Sequence, residues 1–499
     1  MPSHSYLGKA GLKALLVAMV LGGAAAVRGT ELAAADDRKG GMRTGTDDAT
    51  LSTVLQLDDV LAATLTHHPA LQAERQERVS ADADLLSSKG AFDPSFKADA
   101  LSYVTGGYSG NYGSAYVEQP LEFYGSKVIG GYRVGDGTFP IYDNWYETNS
   151  AGEAGFGVEV PLLRDGPIDR RRANIGKAVS GQQLADSLIE QRRIELARAA
   201  ALTYWDWTAA RNKVKVYRSL LVDAEERDRQ IAERVLRGDL PEFDRTDNQR
   251  AVLQRKAQLL SAERGVKNAE YTLSLFFRNH AAQPQNIERF QALEKIPLPL
   301  FVPVHISSDP VAEATEARPE FKNIKAQHEQ NKLELSLARN QVLPRLDLRV
   351  FSYNDYGTGD PKREDPEVKA GLRIEIPLAT RTQQGRIDYF ESRQKKLEFT
   401  ETFLRERIRT DVQDTLNALD VAKSRVEVVA QEVRASEELA RGELKRFNMG
   451  DSNLIFVNLR EQNAADAKVR EIEALQDYQK AFVAFEATLA RIQKQGDKK

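Results

Sequence analysis

The chain repeats itself, and that duplication limits its fold more than any other feature. His68-Pro69 aligns with Arg318-Pro319 at an offset of 250 residues, and Ala91-Phe92-Asp93-Pro94 meets Gln341-Val342-Leu343-Pro344 at the same offset. Val160-Pro161-Leu162 meets Ile376-Pro377-Leu378 at an offset of 216, and Arg234-Val235-Leu236-Arg237-Gly238-Asp239 meets Arg446-Phe447-Asn448-Met449-Gly450-Asp451 at 212. Each half therefore predicts one series: helix, strand, loop, strand, very long helix, tight turn, helix. The boundaries are 36–282 for the first repeat and 317–492 for the second, joined by a proline-rich connector at 283–316 and followed by a polar tail at 493–499.

The falling offset locates a length difference. Pro94 to Pro161 spans 67 residues and Pro344 to Pro377 spans 33, so the first half carries 34 extra residues between its two strands. They fall within Thr105 to Ser150, a stretch full of Gly and Tyr. Such a segment reads as a long surface loop, with or without a small hairpin of its own.

Four strands are expected, at about 96–104, 153–162, 346–353 and 368–378. In the second, Ala154, Phe156, Val158, Val160 and Leu162 share one face, opposite Gly155, Gly157 and Glu159. In the fourth, Val368, Ala370, Leu372, Ile374 and Ile376 oppose Lys369, Gly371, Arg373 and Glu375. The third sets Leu346, Leu348 and Val350 against Asp347, Arg349 and Phe351, and the first is less regular. This alternation suits a tilted strand crossing lipid, and equally an antiparallel sheet with one wet face.

The helices are longer than globular packing requires. A 3–4 spacing runs from Leu196 through Ala200, Thr203, Trp207, Ala210, Val214, Tyr217, Leu221, Ala224, Asp228 and Ile231 to Val235. Its counterpart runs from Ile408 through Val412, Thr415, Leu419, Ala422, Val426, Val429, Val433, Ser436, Ala440 and Glu443 to Phe447. Both are heptad seams with polar interruptions. They predict antiparallel hairpins over 167–276 and 383–492, with long arms on the order of 100 Å at 1.5 Å per residue. Each long arm ends in Gly-Asp, where glycine can take the left-handed conformation that stops a helix.

Lys9 and Lys13 precede an apolar run, Ala14 to Val27, followed by small residues. That order predicts a signal peptide over 1–35, cleaved after Ala26 or Ala35. No later stretch approaches the length of a membrane-spanning helix, so membrane insertion would need strands or a lipid. Cysteine is absent, which removes disulfides, thiol chemistry and a lipidated N-terminal cysteine. Charge is nearly balanced, 70 Lys and Arg against 73 Asp and Glu, so no general basic surface for nucleic acid is expected.

Four strands cannot enclose a water-filled barrel, since even eight leave room mainly for side chains. Open sheet edges cannot face lipid either. Such a chain would therefore have to pool its strands with identical copies.

The paired halves, the passage from strand through Pro-Leu into a long helix, and the Arg-x-x-x-Gly-Asp turns together resemble the TolC-like outer-membrane factors. The resemblance covers about Leu55 to Ile492. It implies a mainly α fold with a transmembrane β contribution: a homotrimer whose twelve-stranded barrel sits in outer-membrane lipid above an α-helical tunnel in the periplasm. It further implies a passive export duct of a tripartite efflux pump or type I secretion system. Its partners would be a periplasmic adaptor and an inner-membrane transporter, with no enzyme activity and no cofactor.

The resemblance also assigns adaptor contact to the two turns, through Arg234, Gly238, Asp239 and Leu240 in the first hairpin and Arg446, Gly450, Asp451 and Ser452 in the second. Some family members close the tunnel with acidic rings inside the second hairpin, where this chain has Phe456 and Leu459. Asp244 and Asp247 of the first hairpin share one helix face by their spacing. They are candidates for an acidic constriction or for an ordinary solvated face.

Other chemistry finds little support. The histidines form no His-x-x-x-His pair, so no metal site is expected. Gly130-Gly131-Tyr132-Arg133-Val134-Gly135 opens no helix, and Gly-x-Ser-x-Gly is absent. Arg170-Arg171-Arg172 follows a strand, where it would face the membrane rim or a neighbouring copy, and Trp205 and Trp207 read as packing residues. The competing class is a structural coiled-coil envelope protein, an adhesin or spacer. Against it, the strands interrupt the helices twice, where trimeric adhesins carry theirs at the C-terminus.

Overall fold

Long helical hairpins hang from one antiparallel sheet. The computed structural model describes residues 54–297 and 309–492. The expected leader, the polar tail and part of the connector lie outside these residues.

The elements run α1 (Leu57–His67), α2 (Pro69–Lys89), β1 (Ser95–Ser102), β2 (Asn111–Pro120), β3 (Lys127–Asp136), β4 (Glu153–Pro161), α3 (Arg170–Leu236) and α4 (Glu242–Ser274). After the connector come α5 (Pro310–Ala317), α6 (Pro319–Asn340), β5 (Arg345–Asp355), β6 (Glu367–Glu375), α7 (Arg381–Asn448) and α8 (Leu454–Thr488). The long helices α3 and α7 have 67 and 68 residues, about 100 Å each.

Local chemistry sets the boundaries. Pro69 and Pro319 occupy the first helical position, where a missing N–H costs nothing. Asp169 caps α3 by accepting from the Arg172 amide at 2.9 Å, and Asn453 caps α8 by accepting from the Phe456 amide at 3.2 Å.

The sheet corrects the expected strand count. Among the described residues it has six strands in the sequential order β1-β2-β3-β4-β5-β6, all antiparallel. The four expected strands are β1, β4, β5 and β6, within a few residues of their predicted ends. The additional pair, β2 and β3, comes from the segment read as a surface loop with or without a small hairpin, and the hairpin is part of the main sheet. Ten residues of each pair in unbroken register, from Asn111↔Asp136 to Pro120↔Lys127. Glycines at 113, 130, 131 and 135 dilute the apolar alternation that marks a strand, which hid them.

The heptad seams are the buried faces of the long helices. Leu196, Ala200, Trp207, Val214, Leu221, Ala224 and Ile231 are buried on α3, as are Ile408, Val412, Ala422, Val426, Val429 and Val433 on α7. The main apolar core lies halfway along the hairpins, where α1 and the connector pack on α3, α4, α7 and α8 around Tyr204, Trp205, Trp207, Leu273 and Tyr478. The Tyr204 hydroxyl donates to the Leu55 carbonyl at 2.9 Å, joining the first described turn of chain to the middle of α3. Trp205 and Trp207 are packing residues, as expected of tryptophans within the long helix.

Candidate functional site

The two hairpin ends share one geometry. At the end of α3 the Gly238 amide donates to Val235 at 3.0 Å and the Asp239 amide to Arg234 at 2.9 Å. At the end of α7 the Gly450 amide donates to Phe447 at 3.1 Å and the Asp451 amide to Arg446 at 2.9 Å. Both are Schellman turns, which satisfy the orphan carbonyls of a helix end through one left-handed residue. Gly238 and Gly450 supply it with φ of +80° and +84°.

Side chains stiffen the second turn. Arg446 donates to its own turn at the Asp451 carbonyl, 3.2 Å away, and Ser452 hydrogen-bonds Glu443. The two ends are also linked, because the Arg234 guanidinium lies 6.0 Å from the centre of the Phe447 ring. Asp244 sits in the first turn of α4, where a carboxylate complements the helix dipole. Asp247 accepts from Arg250 at 3.1 Å, so the two aspartates differ in their surroundings. Phe456 and Leu459 are about half exposed on α8.

A buried polar clasp, missed by sequence reasoning, stands a few turns above the ends. Arg227 of α3 forms a two-pronged pair with Glu461 of α8, one bond measuring 2.8 Å, and donates to Asn458 at 3.2 Å. Arg255 of α4 reaches the same carboxylate at 3.2 Å and donates to the Leu220 carbonyl at 3.2 Å. Burial lowers the Arg255 pKa from the usual arginine range, against the raising pull of Glu461. One carboxylate thus holds two guanidiniums and ties the first hairpin to the second.

The sheet presents two unlike faces. Register places Phe96, Ala98, Ala115, Val117, Val128, Tyr132, Phe156, Val158, Val160, Leu346, Leu348, Val350, Val368, Leu372 and Ile374 on one side. Many of these stay exposed, Val368 at 71% and Phe96 at 64%. An apolar face this wide is what a lipid-facing wall requires.

The other face is charged. Glu118 of β2 receives Lys97 of β1 at 3.0 Å and Lys127 of β3 at 3.8 Å. Glu159 of β4 lies 3.5 Å from Lys127 and 3.4 and 3.3 Å from Arg345 and Arg349. Higher on this face Phe351 and Tyr353 stack at 5.9 Å over Gly157 and Gly155. A Cβ at Gly157 would meet the Phe351 ring at 2.0 Å, so glycine there makes room for the aromatic.

Arg172 departs from the outward role expected of the arginine triplet. It folds back on the loop before α3, pairing with Asp169 at 2.8 Å and donating to the carbonyls of Asp165 and Gly166 at 3.0 and 2.6 Å. The loop needs those donors because its carbonyls have left the sheet and not yet joined the helix. Among the described residues no helix is long and apolar enough to cross a membrane, and no group of three or more His, Asp or Glu is placed to hold a metal ion.

A sheet apolar on one side and charged on the other, carried on two long helical hairpins, is an architecture shared with solved outer-membrane channels. Residues 311–491, from α5 to the end of α8, match the family described as outer membrane efflux protein. The match falls on the second half of the chain, and it agrees with the resemblance to TolC-like outer-membrane factors. The fold is similar to the CmeC outer membrane channel of Campylobacter jejuni, with a TM-score of 0.63, 13% identity, and coverage of 93% of this chain and 94% of that one. It is similar to the outer membrane protein VceC of Vibrio cholerae, with a TM-score of 0.63, 14% identity, and coverage of 87% and 96%. It is also similar to the open state of the MtrE outer membrane channel of Neisseria gonorrhoeae, with a TM-score of 0.59, 15% identity, and coverage of 87% and 88%. At these identities the likeness is one of fold. No curated protein matches the chain. The expected outer-membrane location agrees with the description of the matched family.

Proposed function

We propose that this protein is the outer-membrane subunit of an export channel, in which three copies pool their sheets into one barrel and their hairpins into a tunnel across the periplasm. The observation that carries this reading is the sheet itself. Its apolar face suits lipid, its charged face suits an aqueous bore, and neither edge is paired among the described residues. Unpaired backbone groups cost several kcal/mol each in hydrocarbon, so such a sheet needs partners at both edges.

The chain acts as a passive duct in a tripartite efflux pump or type I secretion system, energised by an inner-membrane transporter. The turns at Gly238-Asp239-Leu240 and Gly450-Asp451-Ser452 dock a periplasmic adaptor. Support for this comes from their matched Schellman geometry, which would present the same rigid contact repeatedly around a ring. Asp244, with Asp247 beside it, would face the narrow end of the tunnel.

Two measurements test the reading. Channel protein should extract from outer membranes only with detergent, and should migrate on gels as an oligomer that heating dissociates. Since the chain has no cysteine, Asp239→Cys or Asp451→Cys should crosslink in cells to one periplasmic adaptor. Recovery as a soluble periplasmic monomer would refute the assignment.

A further inference from the structure

We infer that the assembled channel closes an eighteen-stranded barrel, with β6 of each copy paired to β1 of the next. This rests on the trimeric-channel reading above and departs from the twelve strands implied by the resemblance. Six strands from each of three copies give eighteen only if β2 and β3 belong to the barrel wall, and three observations place them there.

First, β2 pairs with β3 through ten residues, β1 with β2 through eight and β3 with β4 through seven. The β2–β3 hairpin is therefore spliced between β1 and β4, which do not touch as a pair. Second, its outward positions Ala115, Val117, Val128, Tyr132 and Val134 continue the apolar face of β4, β5 and β6, with Gln119 at one end and Asn111 and Asp136 at the other. Third, the charged face runs straight through it, in ion pairs that lead from Lys97 to Glu118 to Lys127 to Glu159 to Arg345 and Arg349, across β1 to β5. A surface loop would supply neither face.

The occupant of the free edges is a second copy of this chain. The sheet is a sequential antiparallel meander of even strand number, so β6 of one copy runs antiparallel to β1 of the next. Charge continues across that seam. At the helical end of β6, Glu375 shares the polar face with Arg373 and is exposed. At this end of the sheet the ion pairs that run from Lys97 to Arg345 thus meet a carboxylate on the sixth strand, opposite Arg345 and available to Lys97 of the next copy.

The consequence is a wider mouth. With strands about 4.8 Å apart and tilted about 40°, eighteen strands enclose a ring roughly 36 Å across the backbones, and twelve roughly 24 Å. At the sheet end α2, α3, α6 and α7 of each copy, at roughly 9–10 Å spacing, would trace a twelve-helix ring of about the first width. Wall and tunnel would then meet without a step, and size selection would fall to the hairpin ends.

Electron cryomicroscopy of the full chain in lipid nanodiscs tests this directly. The expected result is a trimer with eighteen wall strands, residues 111–136 among them. A trimer with twelve wall strands and that hairpin outside overturns the inference and leaves the channel reading intact. Any other copy number in the membrane also overturns it, and a protein that stays a soluble monomer overturns both. A second measurement reads the seam. Lys97→Cys combined with Glu375→Cys, treated with a short bifunctional thiol reagent, should yield covalent trimer on a denaturing gel. Monomer alone, from a sample already shown to be trimeric, would mean that these edges do not meet.

Discussion

Arg234 and Phe447 meet at the free ends of the two hairpins, the guanidinium 6.0 Å from the ring centre. In the duplicated halves Arg234 aligns with Arg446, and Phe447 is the residue after it. The contact therefore joins the two hairpins of one copy, and a cation over an aromatic face at an exposed site is worth about 0.5–1 kcal/mol. Arg234→Gln should loosen the hairpin ends against each other while leaving the sheet unchanged. Faster amide exchange confined to 230–240 and 444–454 would register this, and unchanged exchange would show that the contact carries no weight.

The Schellman turns need glycine for backbone reasons alone, since a Cβ at Gly238 or Gly450 would meet nothing within 4 Å. Gly450→Val should cost about 1–2 kcal/mol through the left-handed conformation. The prediction is quicker proteolytic nicking near 450 and weaker adaptor crosslinking from the neighbouring Asp451→Cys. Wild-type nicking and crosslinking would remove the turn from the docking account.

The Glu461 clasp responds asymmetrically. Glu461→Ala leaves the guanidiniums of Arg227 and Arg255 without their shared carboxylate, and breaking a buried pair this way costs about 3–5 kcal/mol. Arg255→Met removes one charge and keeps the Arg227–Glu461 pair, so it should cost less. Thermal melting of the detergent-extracted protein should rank the variants in that order. Equal melting points would mean that the carboxylate is not the hub.

Much of this was legible beforehand. The duplication marks both hairpins, and the heptad seams pick out Trp207, Ala224, Val412 and Val426, all of them buried. Hidden features came from two causes. In β2 and β3, glycines at 113, 130, 131 and 135 replace the apolar or polar marker at alternate positions. Even so, Ala115 and Val117 against Tyr116 and Glu118, and Val128, Tyr132 and Val134 against Arg133, carried a faint period of two. The clasp was hidden by distance, because Arg227 and Glu461 are 234 residues apart and meet only when the hairpins pack.

The wall tolerates Phe351 only beside glycine. Gly157→Ala would place a methyl carbon inside the Phe351 ring, an overpacking that costs about 1–3 kcal/mol. The temperature at which heat dissociates the oligomer should fall, and Phe351→Ala in the same chain should restore part of the loss. A double variant no better than the single would separate the ring from the effect.

His68 makes the corner between α1 and α2 sensitive to acid. Its Nδ1 accepts from the Ala70 amide at 3.2 Å, and burial first, then Arg278 and Arg192, lower its pKa below the usual 6.5. A depressed folded pKa contributes stability that is present above about pH 6.5 and lost as pH falls through the folded value. His68→Asn keeps a capping acceptor without titrating. It should flatten the pH dependence of exchange at Ala70 below pH 6.5, and an unchanged slope would assign the dependence to other groups.

The most direct test of the central claim is a planar-bilayer recording of the purified full chain, with its oligomeric state determined on the same sample. The account predicts stepwise ionic conductance from the trimeric fraction and none from heat-dissociated monomer. Trimers that insert into lipid yet never conduct, or steps arising from monomer alone, would contradict it.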